Sequence, residues 1–226
     1  MQRVRFRDPA GSIRVGGWAD GGVTFAGRSY DHDEVDVLPP TEPTKVVCVG
    51  LNYEDHAAEL DLDLPERPVL FVKGPNSLAG HGDTVVLPDR DRIDFEAELA
   101  VVIGEQCRDV PAEEAMDVVA GFTCMNDVSN RVDQWAPEEG RDLFRGKAFD
   151  NSAPLGPTIA PPDAVPDDAR IRLRVNGETR QDSSRSELIF SVPELIAEIT
   201  EYATLEPGDV IATGTPPGVG PLADGD

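Results

Sequence analysis

The chain has 226 residues, 39% of them apolar, which is enough for one large domain or for one domain with a small appendage. Its 43 acidic residues outnumber 20 basic ones, and the formal net charge of −23 argues against nucleic acid and anionic membranes as partners. The first residues lack the pattern of a signal peptide, and no apolar run approaches the length that crosses a membrane.

Lysine is rare in this chain, and its rarity is informative. Only Lys45, Lys73 and Lys147 occur, so nearly all positive charge is arginine. Because the chain avoids lysine on its surface, we expect the lysines that it keeps to have a function. An acidic, lysine-poor surface around an ordinary core predicts the cytosol of a halophilic organism. The three cysteines have no metal-site spacing, and we predict that they are reduced, as in a cytoplasmic protein.

Glycine and proline divide the chain into two predicted parts. Residues 1–44 contain short strand patterns joined by glycine turns and end in the linker "LPPTEPT", where proline disfavours both helix and central strand. We predict a small N-terminal β-rich subdomain with its linker over 1–44 and a catalytic domain over 45–226.

The second part alternates strands with a few short helices. We predict strands in "KVVCVG", "RPVLFVKG", "DTVVLP" and "GDVIATG", helices in "YEDHAAEL", "PAEEAMDVVAG" and "SVPELIAEITEYA", a hairpin in "RIRLRVNGETRQ", and a loop over 136–153. The second helix is expected to end just before Gly121, and the third to begin with a capping box. Many strands with few helices predict an α+β fold with a β-rich roll.

The stretch "DFEAELAVVIG" predicts a strand with three carboxylates on one face. Asp94, Glu96 and Glu98 alternate with apolar residues, so all three side chains lie on the same side. Glu96 and Glu98 can converge on one Mg²⁺ or Mn²⁺ ion, and Asp127, at the end of a later apolar segment, can supply a third ligand. The alternative is an ordinary solvated face, and Asp94 is expected to be solvated or outside the ligand set.

Three further groups are candidates for chemistry. In a helix, His56 and Glu59 lie on one face, which gives a tunable general base, although the spacing equally allows an ordinary surface pair. Lys147 can hold a substrate carboxylate or enolate, and Lys73 is a weaker candidate for the same role. The loop "TGTPPGVG" offers hydroxyl and N–H groups to a carboxylate through Thr215 and its neighbours.

Seven segments in this order resemble the fumarylacetoacetate hydrolase family, especially its acylpyruvase and hydroxymuconate-isomerase members. They run from Lys45 to Gly220 and are "KVVCVGLNYEDHAAEL", "PVLFVKGPNSL", "DFEAELAVVIG", "NDVSNRVDQ", "GKAFDNSAPLGP", "VNGETRQ" and "GDVIATGTPPGVG". Two departures stand out: the family usually has Asp where Val132 follows Arg131, and it continues with a further hairpin after residue 226, so the last C-terminal strands are expected to be missing.

The resemblance implies a mixed β-roll core with flanking helices, a homodimer, and Mg²⁺ or Mn²⁺ bound by Glu96, Glu98 and Asp127. It implies that His56 and Glu59 form the acid–base pair on a mobile lid helix. It also implies that the substrate is contacted by four residues: Lys147, Gln134, Thr215 and, nearby, Arg131.

The resemblance implies an enzyme of aromatic catabolism that acts on small anionic 2-oxo or 2,4-dioxo acids. The first expectation is hydrolytic cleavage of a C–C bond through a metal-stabilised enolate, with His56 activating water and Lys147 stabilising negative charge. The alternatives use the same enolate without attack by water: isomerisation or tautomerisation of an unsaturated 2-hydroxy diacid, or decarboxylation of a 2-oxo diacid.

Overall fold

A computed structural model of the chain describes residues 2–19, 21–135 and 140–226. Its strands are β1 Arg3–Arg7, β2 Ile13–Ala19, β3 Gly22–Phe25, β4 Arg28–Tyr30, β5 Asp36–Val37, β6 Val46–Gly50, β7 Val69–Lys73, β8 Leu78–Ala79, β9 Ile93–Phe95, β10 Ala97–Ile103, β11 Val119–Asn126, β12 Ser129–Asn130, β13 Ala153–Ala160, β14 Arg170–Val175, β15 Glu178–Ser184, β16 Val210–Ala212 and β17 Gly220–Pro221. The α-helices are α1 Glu54–Glu59, α2 Arg131–Gln134, α3 Leu143–Lys147 and α4 Val192–Tyr202. The 3₁₀ helices are His32–Glu34, Pro75–Ser77, Ala112–Val118, Pro162–Ala164 and Arg185–Glu187.

One large mixed sheet organises the molecule. Ten of its strands follow the order β4-β3-β2-β1-β13-β11-β10-β16-β6-β7, while β5 and β8 pair with β1 and β13. Neighbours along this path are antiparallel except β16 and β6, which run parallel. The predicted α+β fold with a mixed β core is confirmed by this arrangement and by the similar solved structures described below.

The N-terminal strands are continuous with this sheet. Strand β1 pairs with β13, where Arg3 lies opposite Ile159 and Val4 opposite Thr158. A small apolar cluster that includes Val4, Phe6 and Val23 lies beneath these strands. The predicted domain boundary at residue 44 stays a prediction.

Strand β10 lies at the centre and is buried on both faces. One face carries Ala97, Leu99, Val101 and Ile103, which pack with Leu195, Ile196 and Ile199 of α4. The opposite face carries Ala100 and Val102, which belong to a second apolar cluster. Because side chains alternate along a strand, Glu98 lies on the second face and is therefore buried with it.

Two local patterns have the predicted structure. The hairpin of β14 and β15 turns at Asn176 and Gly177, whose φ angles of 51° and 83° lie in the left-handed region that an Asn-Gly turn requires. Helix α4 begins with the predicted capping box of Ser191 and Glu194. Within the described ranges, no helix is both long and apolar enough to cross a membrane.

Four predicted elements differ in the structure. The predicted strand of residues 94–104 is two strands, because Glu96 separates β9 from β10 and β9 joins a small sheet with β12 and β17. The segment "DTVVLP" forms no strand. The predicted loop of 136–153 contains α3 and the first residue of β13, and its residues 136–139 lie outside the described part of the chain.

The fourth difference concerns the segment before Gly121. It forms a 3₁₀ helix, Ala112–Val118, and Gly121 lies inside β11 instead of ending the helix. A Cβ atom on Gly121 would lie 2.2 Å from the carbonyl oxygen of Ala160, so this glycine permits the close approach of β11 and β13. Gly121 is therefore required by the packing of two strands and not by the end of a helix.

Candidate active site

Three carboxylates converge at the floor of an internal cavity. Glu96, Glu98 and Asp127 are 4%, 3% and 1% exposed, and one oxygen of each lies within 4.8 Å of the others. Antiparallel pairing of β10 with β11 places Ala97 opposite Asn126, so Asp127 emerges beside Glu96. The Asp127 N–H donates to the Glu96 carbonyl over 2.8 Å, which fixes the two backbones together.

Two buried lysines and a partly buried arginine surround these carboxylates. The Lys147 Nζ lies 2.7 Å from both Glu96 Oε2 and Asp127 Oδ2. The Lys73 Nζ lies 2.7 Å from the other oxygen of Asp127, and Arg131 pairs with Glu96. Although burial raises the pKa of Asp127, the attraction of Lys147 and Lys73 outweighs burial and holds that pKa below its usual value.

Glu98 is the carboxylate that these cations leave uncompensated. Among the described residues its side chain accepts one hydrogen bond, from the N–H of Gly214 over 2.9 Å. Burial, with the negative charges of Asp127 and Glu96, raises the pKa of Glu98 well above its usual value. The cluster therefore has room for one more positive charge at Glu98.

The cluster fits a divalent cation of the Mg²⁺ or Mn²⁺ type. Its donors are hard carboxylate oxygens, which these ions prefer, and one of the three carboxylates, Glu98, has no cationic partner among the described residues. Lys147 also contacts two of the three carboxylates, so a bound ion and this ammonium would share the floor. The ligands that the sequence predicted are thus brought together by the structure.

The histidine–glutamate pair lies on α1 in the wall of the same cavity. The Nδ1 atom of His56 lies 3.1 Å from Glu59 Oε2, and the imidazole is 5% exposed. The Glu59 carboxylate also accepts the N–H of Gly218 over 3.1 Å, which ties α1 to the glycine-rich loop. Because Nδ1 is held by Glu59, Nε2 is the ring nitrogen left for proton transfer in the cavity.

The predicted substrate contacts divide into two groups. Gln134, Thr215, Arg131 and Lys147 all line the cavity. Lys73 does not line it: the ammonium is fully buried behind Asp127 and donates to the carbonyl and hydroxyl oxygens of Ser152 over 2.7 and 2.9 Å. Its predicted role in substrate binding finds no support in this geometry.

The threonine loop is tied to β10 by its own hydroxyl groups. Thr215 donates to the carbonyl of Ala97 over 3.0 Å and accepts from Gln181 over 2.8 Å, while Thr213 donates to the carbonyl of Leu99. These donors are therefore used by the protein. Gln181 was missed by sequence reasoning, because a glutamine within an exposed hairpin pattern gives no signal of burial.

Asp94 and Arg131 form a second layer behind the cluster. Asp94 is fully buried and accepts from Arg131 Nε over 2.8 Å and from Arg92 Nε over 2.9 Å. This position agrees with the expectation that Asp94 is no ligand. The alternative that Asp94 is solvated is wrong, because its side chain is buried. Arg131 also donates to Gln134 Oε1 over 2.8 Å, so each of its three nitrogens donates to one of Asp94, Glu96 and Gln134.

Two lining residues at the cavity mouth were also missed. Trp135 is 41% exposed, and the Arg141 guanidinium carbon lies 4.3 Å from the centre of its ring. Both residues flank the segment 136–139, which the structure does not describe, and their neighbourhood had been predicted to be a loop. Apolar side chains also line the cavity, among them Leu60, Val69 and Phe71.

A buried acidic floor beside an oriented histidine, at the centre of a mixed sheet, is typical of enzymes that transfer protons on small acids. A family model described as Fumarylacetoacetate (FAA) hydrolase C-terminal matches residues 45–226, and the chain belongs to this family.

Similar proteins carry three kinds of name. A crystal structure of 5-carboxymethyl-2-hydroxymuconate delta-isomerase from Mycobacterium smegmatis is 39% identical, with a TM-score of 0.87 over 100% of this chain and 91% of that one. Maleylpyruvate hydrolase from Sphingobium sp. SYK-6 is 31% identical, with a TM-score of 0.83 over 100% and 93%. The mitochondrial oxaloacetate tautomerase Fahd2a of Rattus norvegicus is 43% identical over 81% of this chain and 59% of its own length.

Proposed function

We propose that this protein is a Mg²⁺- or Mn²⁺-dependent enzyme that forms the enolate of a small 2-oxo acid. The observation that carries the proposal is the presence of this carboxylate cluster, in which Glu98 has no cationic partner among the described residues, in one cavity with His56. Glu96, Glu98 and Asp127 would hold the cation, which when bound supplies Lewis-acid polarisation of the 2-oxo group.

Proton transfer is assigned to His56. With Nδ1 held by Glu59, Nε2 can remove a proton from C3 of a 2-oxo acid or from a water molecule. Lys147 places a positive charge at the floor, where it would stabilise negative charge developing on the substrate oxygen. Although burial lowers the pKa of Lys147, attraction by Asp127 and Glu96 raises it above its usual value, so this residue stays an ammonium and is not the base.

The enolate allows two outcomes, and both are kept as candidates. In hydrolysis, His56 takes a proton from water, the hydroxide attacks a distal carbonyl, and the C–C bond breaks with its electron pair left as the enolate. In isomerisation or tautomerisation, His56 moves a proton between carbon and oxygen or between two carbons. The names of the hydrolase, isomerase and tautomerase relatives support these two outcomes equally.

Exchange of the C3 protons of pyruvate in D₂O tests the shared step. With Mg²⁺ present, we expect NMR to show exchange that depends on the protein and falls by roughly 10²–10⁴ in His56→Gln. Mg²⁺ binding by calorimetry should be unchanged in that variant. Equal exchange by the variant and the wild type would contradict the role of His56.

Product analysis separates the two outcomes. Acylpyruvate cleavage would release pyruvate and a carboxylic acid, whereas enol-oxaloacetate would be converted to the keto form without loss of carbon. CO₂ release from oxaloacetate would instead indicate the decarboxylase. A protein that binds Mg²⁺ but neither exchanges protons nor changes any of these acids would contradict the proposal.

The proposal includes the homodimer that the resemblance implies and the cytoplasmic location that the composition predicts. Light scattering at several protein concentrations should give a mass near twice that of the chain. A monomer with full activity would remove the dimer from the proposal without affecting the enolate step.

A further inference from the structure

The mouth of the cavity contains an arginine, Arg141, that has no carboxylate partner in the part of the chain that the structure describes. Arg141 lines the same cavity as the acidic floor, and its guanidinium stacks over the Trp135 ring at 4.3 Å. Across residues 2–19, 21–135 and 140–226, no carboxylate forms an ion pair with it.

The other cations that line the cavity are already committed. Lys147 is bound between Glu96 and Asp127, and Arg131 donates to Asp94, Glu96 and Gln134. Both are therefore paired with carboxylates of the buried floor. Among the described residues, Arg141 is the lining cation that has no carboxylate partner.

The contact with Trp135 leaves the hydrogen-bonding edge of Arg141 open. A guanidinium that stacks on a ring uses its flat face, while its N–H groups point outward in its own plane. This planar fork matches a carboxylate in a two-point contact. The ring thus orients Arg141 as an anion receptor and consumes none of its donors.

Arg141 and the acidic floor differ in their exposure to solvent. The three carboxylates are at most 4% exposed, whereas Trp135 is 41% exposed and Arg141 is exposed as well. Apolar residues, including Leu60, Val69 and Phe71, line the same cavity. The cavity therefore has a buried polar floor, an apolar wall and a cationic rim.

We propose that Arg141, held by Trp135, binds a distal carboxylate and makes this site selective for 2-oxo dicarboxylic acids over 2-oxo monocarboxylic acids. This inference rests on the proposed function, since it assumes that the 2-oxo end lies at the acidic floor. Arg141 would be a specificity-determining residue and would take no part in proton transfer.

A matched pair of ligands isolates the distal carboxylate. Isothermal titration calorimetry of the Mg²⁺-loaded protein would compare 2-oxoglutarate with 2-oxopentanoate, which has the same chain length and ends in a methyl group. One charge-assisted contact is expected to make 2-oxoglutarate bind about ten- to a hundredfold more tightly. In Arg141→Gln this preference should disappear, while the affinity for 2-oxopentanoate stays the same.

Two controls define the outcomes. Arg145→Gln removes the same charge from α3, at a residue that does not line the cavity, and should keep the wild-type preference. Oxalate, which reaches only the floor, should bind the wild type and Arg141→Gln equally.

The failures can be told apart. If oxalate binds but the two 2-oxo acids bind the wild type equally, or if Arg141→Gln keeps the preference, the distal subsite is wrong and the proposed function stands. If neither oxalate nor either 2-oxo acid binds in the presence of Mg²⁺, the proposed function fails and the subsite falls with it.

Discussion

Asp209 and Glu98 are two buried carboxylates whose environments are opposite. Asp209 directly precedes β16, and Glu98 lies in the neighbouring strand β10. Asp209 is fully buried and accepts hydrogen bonds from the N–H and hydroxyl of Thr44, both over 2.8 Å, from the N–H of Glu206, and from Lys45. Glu98 in β10 is 3% exposed and accepts only the N–H of Gly214 among the described residues.

The two environments move the pKa values in opposite directions. Although burial raises the pKa of Asp209, hydrogen bonds from Lys45, Glu206 and Thr44 outweigh burial and hold it below its usual value. Burial and the nearby Asp127 and Glu96 raise the pKa of Glu98. A buried carboxylate whose partners all come from the protein stabilises the fold, whereas one left without them is suited to bind something else.

Glu98→Gln gives the largest expected effect. The amide keeps the shape of the side chain but removes one charged ligand. Mg²⁺ affinity, measured by calorimetry, should therefore fall by on the order of 10²-fold or more, which exceeds the usual loss when a residue that only contacts a ligand is changed. Because the variant removes an unpaired buried charge, the metal-free protein should be as stable as the wild type or more stable.

The exposed acid Glu105, just after the same strand, supplies the control for charge. Glu105→Gln should leave Mg²⁺ affinity unchanged. If Glu98→Gln binds Mg²⁺ as tightly as the wild type does, Glu98 is not a ligand. The difference between its environment and that of Asp209 would then have no bearing on metal binding.

Asp209→Asn should act on stability and not on the metal. The amide cannot accept all of the donors that converge on Asp209, and Lys45 loses its partner, so the free energy of unfolding should fall by about 2–4 kcal/mol. Urea denaturation measures this loss. Asp182→Asn, in an exposed pair with Arg170, should shift the midpoint little.

The pH dependence of the same pair of proteins checks the cause. The folded pKa of Asp209 lies below its unfolded value of about 3.9, so its stabilisation is present above that pH and is lost as the pH falls. The stability difference between wild type and Asp209→Asn should therefore be largest near neutral pH and shrink below about pH 4. A difference that is constant with pH would mean that packing, and not the charge, is responsible.

Lys73→Met tests a lysine that acts through Asp127. Lys73 holds one oxygen of Asp127 from behind, so its loss should weaken Mg²⁺ binding by about 10–100-fold through a misoriented ligand. Lys45→Met is the matched control, since Lys45 pairs with Asp209 and should affect unfolding but not Mg²⁺ affinity. Equal Mg²⁺ affinities in the two variants would contradict this distinction.

Thr44→Val gives the smallest expected effect and tests whether Asp209 is held by several independent donors. It removes one hydroxyl donor from Asp209 while the N–H groups and Lys45 remain. The free energy of unfolding should fall by about 1 kcal/mol or less. A loss as large as that of Asp209→Asn would mean that Asp209 is not held by several independent donors.

Local patterns were predicted well wherever the cause lay within a few residues. The Asn-Gly turn at Asn176 and the capping box at Ser191 depend on contacts across four residues or fewer, and both formed as expected. Gly121 was misassigned because its cause is β13, which lies more than thirty residues further along the chain.

The same division applies to the site. The sequence by itself determined that Glu96 and Glu98 are two residues apart, so that an extended chain puts both carboxylates on one side, and it determined the spacing of His56 and Glu59. Only the tertiary structure decided which charges are compensated, since Lys73, Lys147 and Arg131 reach the acids from separate elements. Charge balance in a buried site depends on distances between elements, and strand and helix periodicity carry no information about those distances.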